Sequence, residues 1–306
     1  MSDIVTRDIP AFLQRARGSA ADFGAATARA AFLVAPDGFR LAEQSASDNH
    51  YMADARAFDA AAASAQHREL HCAMSRVLPT VCFSGNLETP DAVFPNNVFA
   101  TAPGRYLVAR MRHPVRRREA ARDDIRGFFA GLLGYAEIDL SAQAEACELT
   151  GAVVVDRARG LGFAGLSERC TEQGVRLVHE ALGLRATLMF ELAAGEYHTN
   201  VVLAVLAGRA ALICPDGFAD AAVVAAIEAI YAPHALLLSA GEHAAFTGNA
   251  IALSDREVWM SRGADESLTG ASREALGRAG FEVKSVALDA IEAAGGSLRC
   301  CVGEIY

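Results

Sequence analysis

The chain has 306 residues, 52% of them hydrophobic and 21% charged, which is typical of a globular protein with a large core. Its formal net charge of −9 argues against non-specific nucleic-acid binding, and no hydrophobic run is long enough to span a membrane. The seven cysteines include no Cys-x-x-Cys pair, and the eight histidines show no metal-ligand spacing. We therefore expect a cytoplasmic protein that contains neither a metal nor a cofactor.

The N-terminal part combines a predicted strand, a polar loop and a helix. Residues 31–34 form a short apolar run that ends at a Pro-Asp-Gly turn signal, residues 36–38. Residues 45–52 are mostly polar and predict a mobile loop of the kind that covers a binding pocket. The Ala-rich segment 54–76 has apolar residues at helical spacing and predicts a helix.

From residue 98 onwards one pattern recurs with a nearly constant period. Two short apolar runs flank a turn, and an amphipathic helical stretch follows them. The predicted hairpins are 98–101 with 105–109, 152–155 with 161–164, 201–205 with 210–213, and 250–253 with 258–261. The helical stretches are 117–133, 167–182, 219–231 and 268–279. One further step of about fifty residues from the last hairpin reaches Arg299.

A period of about fifty residues is the signature of a repeat architecture. Strand-strand-helix modules cannot bury a hydrophobic face alone, but five of them arranged radially enclose one core. The fifth module has only a C-terminal strand and takes its partner from the N-terminal strand near Leu33, which closes the ring. We therefore predict a single α/β domain comprising residues 1–306. A doubly wound sheet, the competing architecture, would require a glycine-rich phosphate loop after the first strand, and the sequence has none.

Polar residues occupy equivalent positions immediately before or at the first strand of successive modules. Equivalent positions in a radial fold lie at the same end of the barrel, around its axis. The residues concerned are Asp91, Asn97, Glu148, His198, Asn200, Asn249 and Cys300. The sequence predicts that they line one pocket.

Three of these segments resemble the motifs of a known enzyme superfamily. They are Pro90-Asp91-Ala92-Val93-Phe94-Pro95-Asn96-Asn97, Tyr197-His198-Thr199-Asn200-Val201 and Gly295-Gly296-Ser297-Leu298-Arg299-Cys300. They closely resemble motifs of the guanidino-group-modifying, or pentein, superfamily, and look most like those of its citrulline-utilisation hydrolases. The resemblance extends from about Phe32 to Tyr306. It implies a five-bladed α/β-propeller and Cys/His/acid chemistry at the guanidino or ureido carbon of an arginine-like small molecule.

Cys300 is the predicted nucleophile, whose thiolate attacks the planar carbon of the substrate and forms a covalent S-linked intermediate. It lies at the start of the predicted C-terminal strand, after the Gly295-Gly296 turn, so alternation along the strand assigns Cys301 to packing. His198 is the predicted general acid and base, and the alternative is a structural histidine.

Two acidic residues are predicted to bind a cationic head group. Glu148 and Asp91 suit this role because paired carboxylates satisfy the donors of a guanidinium. The alternatives are a turn or helix cap for Asp91 and a solvated charge for Glu148. Leu149 replaces the glycine that follows the acid in the superfamily, a change that bears on the substrate more than on the chemistry.

Amide residues complete the predicted rim of the pocket. Asn97 and Asn200 stand where arginine deiminases carry aspartate, and Asn249 lies at the equivalent place in the next module. An amide can donate a hydrogen bond to a ureido carbonyl, whereas a carboxylate cannot. These amides predict a substrate head that is less cationic than that of arginine, with citrulline as the first candidate.

Three arginines are candidates for binding a substrate α-carboxylate. Arg116 and Arg117 are predicted to open a helix, where their charges oppose the helix dipole and so need another purpose. Arg169 is a further candidate by resemblance. A solvated basic patch is the alternative for the pair.

The leading functional hypothesis is a hydrolase that cleaves a C–N bond at a guanidino or ureido carbon. An amidinotransferase that passes the same intermediate to an amine is the second hypothesis. A non-enzymatic, ribosome-binding pentein is the third, and the presence of cysteine, histidine and acid at one rim disfavours it. We expect a small-molecule substrate and, as a possibility left open, a homodimer.

Overall fold

The computed structural model of the chain describes residues 3–52 and 59–306. Its strands are β1 (Ile4–Thr6), β2 (Ala30–Val34), β3 (Thr80–Phe83), β4 (Phe99–Ala102), β5 (Arg105–Val108), β6 (Ala136–Asp139), β7 (Val153–Asp156), β8 (Leu161–Leu166), β9 (Ala186–Glu191), β10 (Leu203–Leu206), β11 (Ala210–Ile213), β12 (Ala235–Leu237), β13 (Ile251–Ala252), β14 (Glu257–Ser261), β15 (Glu282–Val286) and β16 (Gly303–Ile305).

Short and long helices connect these strands. The α-helices are α1 (Ile9–Arg17), α2 (Glu43–Ala46), α3 (Ala60–Met74), α4 (Pro114–Arg117), α5 (Asp123–Gly127), α6 (Leu149–Ala152), α7 (Glu172–Leu182), α8 (Thr199–Val202), α9 (Ala221–Tyr231), α10 (Ala240–Ala244), α11 (Arg262–Ser267), α12 (Gly270–Arg278), α13 (Asp289–Glu292) and α14 (Leu298–Cys301). A π-helical turn spans Phe128–Leu132, and 3-10 turns lie at His50–Met52, Pro95–Asn97, Glu119–Ala121 and Pro215–Gly217.

Within the described residues, small sheets share one strand pattern. Two antiparallel strands are followed by a third strand that runs parallel to the second. The sheets are β4-β5-β6, β7-β8-β9, β10-β11-β12, β13-β14-β15 and β16-β2-β3, with β1 added in parallel beside β9. First strands of neighbouring sheets contact each other, β16 with β4, β7 with β10, and β10 with β13. The architecture is a mixed α/β fold in which the same unit recurs.

The four predicted hairpins are confirmed, and their first strands begin one or two residues later than predicted. In the hairpins that start with β7 and β10, the residues just before the strand form the one-turn helices α6 and α8 instead. The predicted strand-strand-helix module is incomplete, because the structure adds a parallel third strand after each helix. The repeating unit is therefore strand-strand-helix-strand.

The C-terminal strand pairs with β2, the strand near Leu33, as predicted. β16 runs antiparallel to β2, with Gly303 opposite Phe32. The prediction that this strand begins at Cys300 is wrong, because residues 298–301 form the helical turn α14 and the strand starts at Gly303. Strand alternation therefore cannot separate the roles of Cys300 and Cys301, which lie on one helical turn.

Three of the four predicted helices match α7, α9 and α12, within a few residues. The Thr171 side chain accepts from the Gly174 N–H at the start of α7, and Gly183, at a φ of 66°, ends that helix. The predicted helix 117–133 is wrong as a continuous element, because short α, 3-10 and π segments replace it. Gly127 and Gly131 lie within it, and glycine weakens a helix interior.

The helix predicted for residues 54–76 corresponds to α3. The Asp59 side chain accepts from the Ala61 and Ala62 N–H groups and caps its first turn. Residues 54–58 of the predicted helix lie outside the described residues. Buried side chains form three clusters around the sheets, one of which contains Cys300 and Cys301. In the described ranges, no helix has both the length and the hydropathy needed to cross a membrane.

Candidate active site

Short turns that precede the first strands carry the predicted polar residues to one region. Asn97 ends a 3-10 turn, Glu148 and His198 immediately precede α6 and α8, and Cys300 lies in α14. Asn200 lies in α8 and Asn249 just before β13. None of these six residues is more than 4% exposed. A buried set of polar side chains needs internal partners, and those partners define what each residue does.

Cys300 is buried against two amide side chains. Its Sγ accepts hydrogen bonds from Asn249 Nδ2 at 3.3 Å and from Asn200 Nδ2 at 3.6 Å. Burial raises the pKa of the Cys300 thiol, and the bond from Asn249 opposes that rise. Asn200 and Asn249 were predicted to bind substrate, but the structure aims their amides at the thiol.

Cys301 has different surroundings from its neighbour. Both thiols belong to the same hydrophobic cluster, but the amide donors among the described residues reach only Cys300. Burial raises the pKa of the Cys301 thiol well above the usual value. A buried thiol in apolar surroundings behaves as a small hydrophobe. The packing assignment for Cys301 therefore agrees with the structure, although the strand argument that led to it does not.

His198 and Glu148 form a buried hydrogen-bonded pair. His198 Nε2 lies 2.9 Å from Glu148 Oε2, and both side chains are fully buried. Burial alone would raise the pKa of Glu148, but the charge of Arg169 and the bond to His198 lower it to about 2. Because Glu148 is ionised, the proton of a neutral His198 lies on Nε2 and Nδ1 carries the lone pair. Burial lowers the pKa of His198, despite the neighbouring carboxylate.

Protein groups hold both carboxylate oxygens of Glu148. Its Oε1 accepts from the Arg112 backbone N–H at 3.1 Å, and Arg169 Nη1 lies 3.5 Å from Oε2. The residue is not among those that line the pocket beside Cys300. The structure therefore places Glu148 against His198 and not in the pocket where it was predicted to bind the cationic head.

Gly151 gives His198 and Asn97 the space that they occupy. A Cβ at position 151 would lie 2.4 Å from Asn97 Oδ1 and 3.0 Å from His198 Nδ1. In the described part of the chain neither of these two atoms has a hydrogen-bond partner, although both are buried. Both acceptor atoms therefore lie against Gly151 without a partner, and a donor from outside the described residues would satisfy either of them.

The pocket beside Cys300 contains several of the predicted residues. Asp91, Asn97, Arg116, Arg169 and Cys300 all line it. The sequence assigned no individual role to the remaining lining residues, which are Ser45, Asn49, Met52, Phe94, Tyr197, Ala294, Gly295 and Gly296. Tyr197 and the glycines lie within the recognised motifs, but residues 45–52 carried no signal beyond their polarity.

Asp91 is the pocket carboxylate without a cationic partner among the described residues. It is 3% exposed, and its Oδ2 accepts a hydrogen bond from Ser45 Oγ. Arg116 reaches only the backbone carbonyl of Asp91, at 3.4 Å. The pocket therefore presents one carboxylate whose charge is not neutralised by a direct ion pair.

The arginines do not form the open carboxylate-binding group that was predicted. Arg116 and Arg117 are the third and fourth residues of α4, a helix of one turn whose first and last turns coincide, so the dipole argument does not apply to them. Arg116 is held by both carboxylate oxygens of Glu119 and by the Phe94 carbonyl. Arg117 donates to two backbone carbonyls and lies outside the pocket, so the structure does not bring it to the site.

Arg169 lines the pocket but is occupied by Asp48. Its Nε lies 2.9 Å from Asp48 Oδ2, and Nη2 bonds Oδ1 of the same carboxylate. His113 Nε2 lies 3.1 Å from Asp48 Oδ1. Burial would raise the pKa of Asp48, but the hydrogen bonds from His113 and Arg169 hold it well below its usual value. Sequence reasoning missed Asp48, because a single acid in a polar segment gives no signal.

Residues 45–52, predicted as a polar loop over the pocket, begin within α2 and end in a 3-10 turn. Ser45, Asn49 and Met52 are buried and line the pocket. Asn49 Nδ2 donates to the Gly295 carbonyl at 3.2 Å. The segment therefore covers the site, as predicted, while its mobility stays a prediction. Within residues 3–52 and 59–306, no cluster of three or more His, Cys, Asp or Glu side chains is arranged to hold a metal ion.

This combination of fold and site defines a guanidino-group-modifying enzyme of the pentein superfamily. Residues 35–306 match the family model described as "N,N dimethylarginine dimethylhydrolase, eukaryotic", and the chain belongs to that family. The protein is accordingly a hydrolase acting on non-peptide C–N bonds. No curated protein sequence matches the chain.

Solved structures share the fold at low sequence identity. The N-terminal domain of ArgZ, a cyanobacterial arginine dihydrolase, in a Cys-to-Ser mutant bound to substrate, has a TM-score of 0.78 at 20% identity, over 90% of this chain and 97% of that one. A Cys-to-Ala mutant of AgrE with L-arginine has a TM-score of 0.79 at 20% identity, over 90% and 40% of the two chains. A dimethylarginine dimethylaminohydrolase, as a His-to-Gly mutant adduct with S-methyl-L-thiocitrulline, has a TM-score of 0.69 at 17% identity, over 91% and 100%.

Proposed function

We propose that the protein hydrolyses a C–N bond at the guanidino carbon of an arginine-type amino acid, with Cys300 as nucleophile and His198 as general acid and base. The observation that carries this proposal is the buried His198–Glu148 pair. The Nδ1 atom of its imidazole has no hydrogen-bond partner among the described residues and lies against Gly151, as does Asn97, which lines the pocket beside Cys300. Membership of a dimethylarginine hydrolase family supports the same type of reaction.

The proposed reaction has two halves that share one base. His198 Nδ1 takes the thiol proton of Cys300, and Sγ attacks the guanidino carbon to form a C–S bond. The C–N bond then breaks, and His198 returns the proton to the leaving amine. In the second half His198 removes a proton from water, the oxygen adds to the same carbon, and the C–S bond breaks. The products are a ureido compound and an amine, and Cys300 regains its proton.

Glu148 is proposed to act through His198 rather than on the substrate. Its ionised carboxylate holds the proton on Nε2 and stabilises the imidazolium that forms in each half of the reaction. Burial alone would disfavour that imidazolium, and the low pKa of Glu148, about 2, keeps the compensating charge in place at neutral pH.

The charges around the pocket favour a cationic head group. The buried or mostly buried carboxylates are Asp48, Asp91, Glu119 and Glu148, and the buried guanidinium groups are those of Arg116 and Arg169. Burial raises the pKa of Glu119 to about 7, and Arg112 Nε also lies 3.5 Å from Asp48. The negative charge that bears on a ligand is therefore that of Asp91, which lines the pocket without an ion pair among the described residues. A guanidinium supplies the missing charge and the donors that Asp91 and Asn97 Oδ1 accept.

Citrulline is a weaker candidate than the sequence indicated. That prediction rested on two amides in the pocket, but Asn200 donates to Cys300 Sγ, which leaves Asn97 alone in that role. We therefore propose arginine or an N-methylated arginine as the substrate class. The family description and the arginine-bound neighbour are consistent with this class.

Arg169 is the arginine that we propose for the substrate α-carboxylate. Arg116 is less suited because its acid partner, Glu119, is fully buried three residues along the chain and does not belong to segment 45–52, and Arg117 lies outside the pocket. The acid that now occupies Arg169 is Asp48, which belongs to the covering segment 45–52. A substrate carboxylate replaces Asp48 in this proposal, and the covering segment moves with it.

We also propose that the repeated sheets close into a five-bladed α/β-propeller and that residues 1–306 form a single domain. The pairing of β16 with β2 supports closure, because it joins the last module to the first strand of the core. The contacts between first strands of neighbouring sheets support a radial arrangement. A cytoplasmic location and a homodimer remain predictions.

The experiment that tests the function is incubation of the purified protein with arginine, N-methylated arginines, citrulline and agmatine, with both product and protein masses followed. We expect release of an amine and a ureido product from the guanidino compounds, and a transient adduct on Cys300. Agmatine should be a poor substrate, because it has no α-carboxylate for Arg169 to bind.

Two cysteine variants serve as the matched pair for this experiment. Cys300→Ser should abolish turnover and the adduct, whereas Cys301→Ser should retain most activity while losing some stability. Equal loss in two folded variants would contradict the assignment of the nucleophile. Transfer of the carbon unit to added glycine or ornithine, instead of water, would identify the amidinotransferase.

A further inference from the structure

The orientation of the Asn249 amide is fixed by two partners of opposite kind. Its Oδ1 lies 3.4 Å from the Cys300 backbone N–H, which can only donate. Its Nδ2 lies 2.8 Å from the Asn200 backbone carbonyl, which can only accept. The alternative amide orientation would therefore set donor against donor and acceptor against acceptor. One N–H of Nδ2 remains, and it is directed at Cys300 Sγ, 3.3 Å away.

A second amide approaches the same sulfur from another module. Asn200 Nδ2 lies 3.6 Å from Sγ. Asn200 and Asn249 occupy equivalent places before β10 and β13, and at most 1% of either residue is exposed. Asn200 Oδ1 lies 3.9 Å from the same sulfur, where it can accept from the thiol S–H, so Asn249 is the amide that presents only a donor to Sγ.

We infer that Asn249, assisted by Asn200, is a positioning residue that stabilises the thiolate form of Cys300 before any substrate binds. An N–H donor favours an anionic sulfur over a neutral thiol, since hydrogen bonds to charged acceptors are about twice as strong as neutral ones. Burial acts in the opposite direction on this thiol, so the two amides offset part of the desolvation. The inference concerns the nucleophile of the proposed function and deepens that proposal.

Other charged and titratable groups also surround Cys300. Arg299 lies in the same helical turn, Tyr197 acts on it electrostatically, and Asp91, Arg116 and Arg169 line the same pocket. These groups remain unchanged when Asn249 or Asn200 is replaced. A shift in the titration of Cys300 on replacement of either amide therefore reports the lost N–H donor.

The test measures the pH dependence of Cys300 alkylation by iodoacetamide in the absence of substrate. A Cys301→Ser background removes the adjacent thiol, and mass spectrometry of the tryptic peptide that follows Arg299 isolates the Cys300 signal. Iodoacetamide is uncharged, so its rate follows the thiolate fraction. We expect Asn249→Ala to raise the midpoint of the rate profile by about one pH unit, which lowers the rate about tenfold below the midpoint.

Asn249→Asp and Asn97→Ala supply the matched comparisons. Asn249→Asp keeps the size and the acceptor for the Cys300 N–H but sets a carboxylate oxygen against the sulfur, so the midpoint should rise further. Asn97→Ala removes a pocket amide that does not bond Sγ and should leave the midpoint unchanged. A merely structural role for Asn249 would lower the melting temperature without moving the midpoint.

An unchanged midpoint in folded Asn249→Ala would overturn the inference. If Asn249→Ala does not fold, Asn200→Ala decides by the same criterion, since it leaves the bonds between Asn249 and the Cys300 backbone in place. Because the assay needs no turnover, its outcome is independent of the proposed function. An inactive wild type with a shifted midpoint in the variants would refute the function and retain the inference.

Discussion

Replacement of Asp91 by asparagine tests the origin of substrate recognition in this pocket. Asp91 is 3% exposed, lines the pocket and forms no ion pair within the described residues, so its charge is available to a ligand. Asp91→Asn keeps the size and one acceptor oxygen but removes the charge. We expect a large loss in kcat/KM for guanidinium substrates and a small loss for the neutral citrulline.

The magnitude follows from the burial of this carboxylate. Two unit charges about 4 Å apart interact by about 4 kcal/mol at an effective dielectric constant of 20. A lost charge-assisted hydrogen bond alone is worth about 2 kcal/mol. These limits correspond to a loss of roughly 30-fold to 1,000-fold in kcat/KM for an arginine-type substrate.

The assay is steady-state kinetics of wild type and Asp91→Asn with arginine, a methylated arginine and citrulline. Ser45→Ala is the matched control, because it removes the hydrogen bond to Asp91 and leaves the charge in place. The control should lose much less than the variant. Equal losses for cationic and neutral substrates, or a loss in Ser45→Ala as large as in Asp91→Asn, would refute the electrostatic reasoning.

Three further predictions follow from the geometry of the site. Gly151→Ala should cut kcat about a hundredfold or more, because the new methyl group displaces Asn97 Oδ1 and the His198 ring. Thermal melts measured beside the kinetics will separate a loss of catalysis from unfolding. His198→Ala should fold and lose a similar factor, whereas a large drop in melting temperature with activity retained would indicate a structural histidine. Asp48→Asn should make the melting temperature depend less on pH below about pH 4. Hydrogen bonds from His113 and Arg169 depress the pKa of Asp48, so the stability that they add is present above the unfolded pKa and is lost as pH falls.

The hairpins could be predicted because their strands are buried and regularly spaced. Two of the third strands escaped prediction for a physical reason, whereas β9 (Ala186–Glu191) is apolar and buried and could have been predicted. β6 (Ala136–Asp139) and β15 (Glu282–Val286) are largely exposed or half-buried edge strands with mixed polarity, and their sequences lack the apolar run that marks a buried strand. Their pairing with the second strand depends on the helix between them, which only the tertiary structure positions.

The same distinction holds for the candidate site, where the sequence predicted which residues come together but not which atoms bond. The period predicted that Glu148, His198 and Cys300 meet, because equivalent places in repeated units converge. It could not predict which atoms pair, since the acid bonds the imidazole and is absent from the pocket lining. Arg169 illustrates the limit best. Its occupant, Asp48, is 121 residues away along the chain and has no motif of its own.

The pairing of β16 with β2 has a consequence for biosynthesis. Cys300, the proposed nucleophile, stands in α14, just before a strand whose partner is synthesised about 270 residues earlier. Contacts so distant in sequence form slowly, because loop closure precedes any gain from packing. Thr101 and Tyr135 also bond the backbone of the last strand and Tyr306. We therefore expect a nascent chain to carry most of the candidate site before Cys300 is held in place.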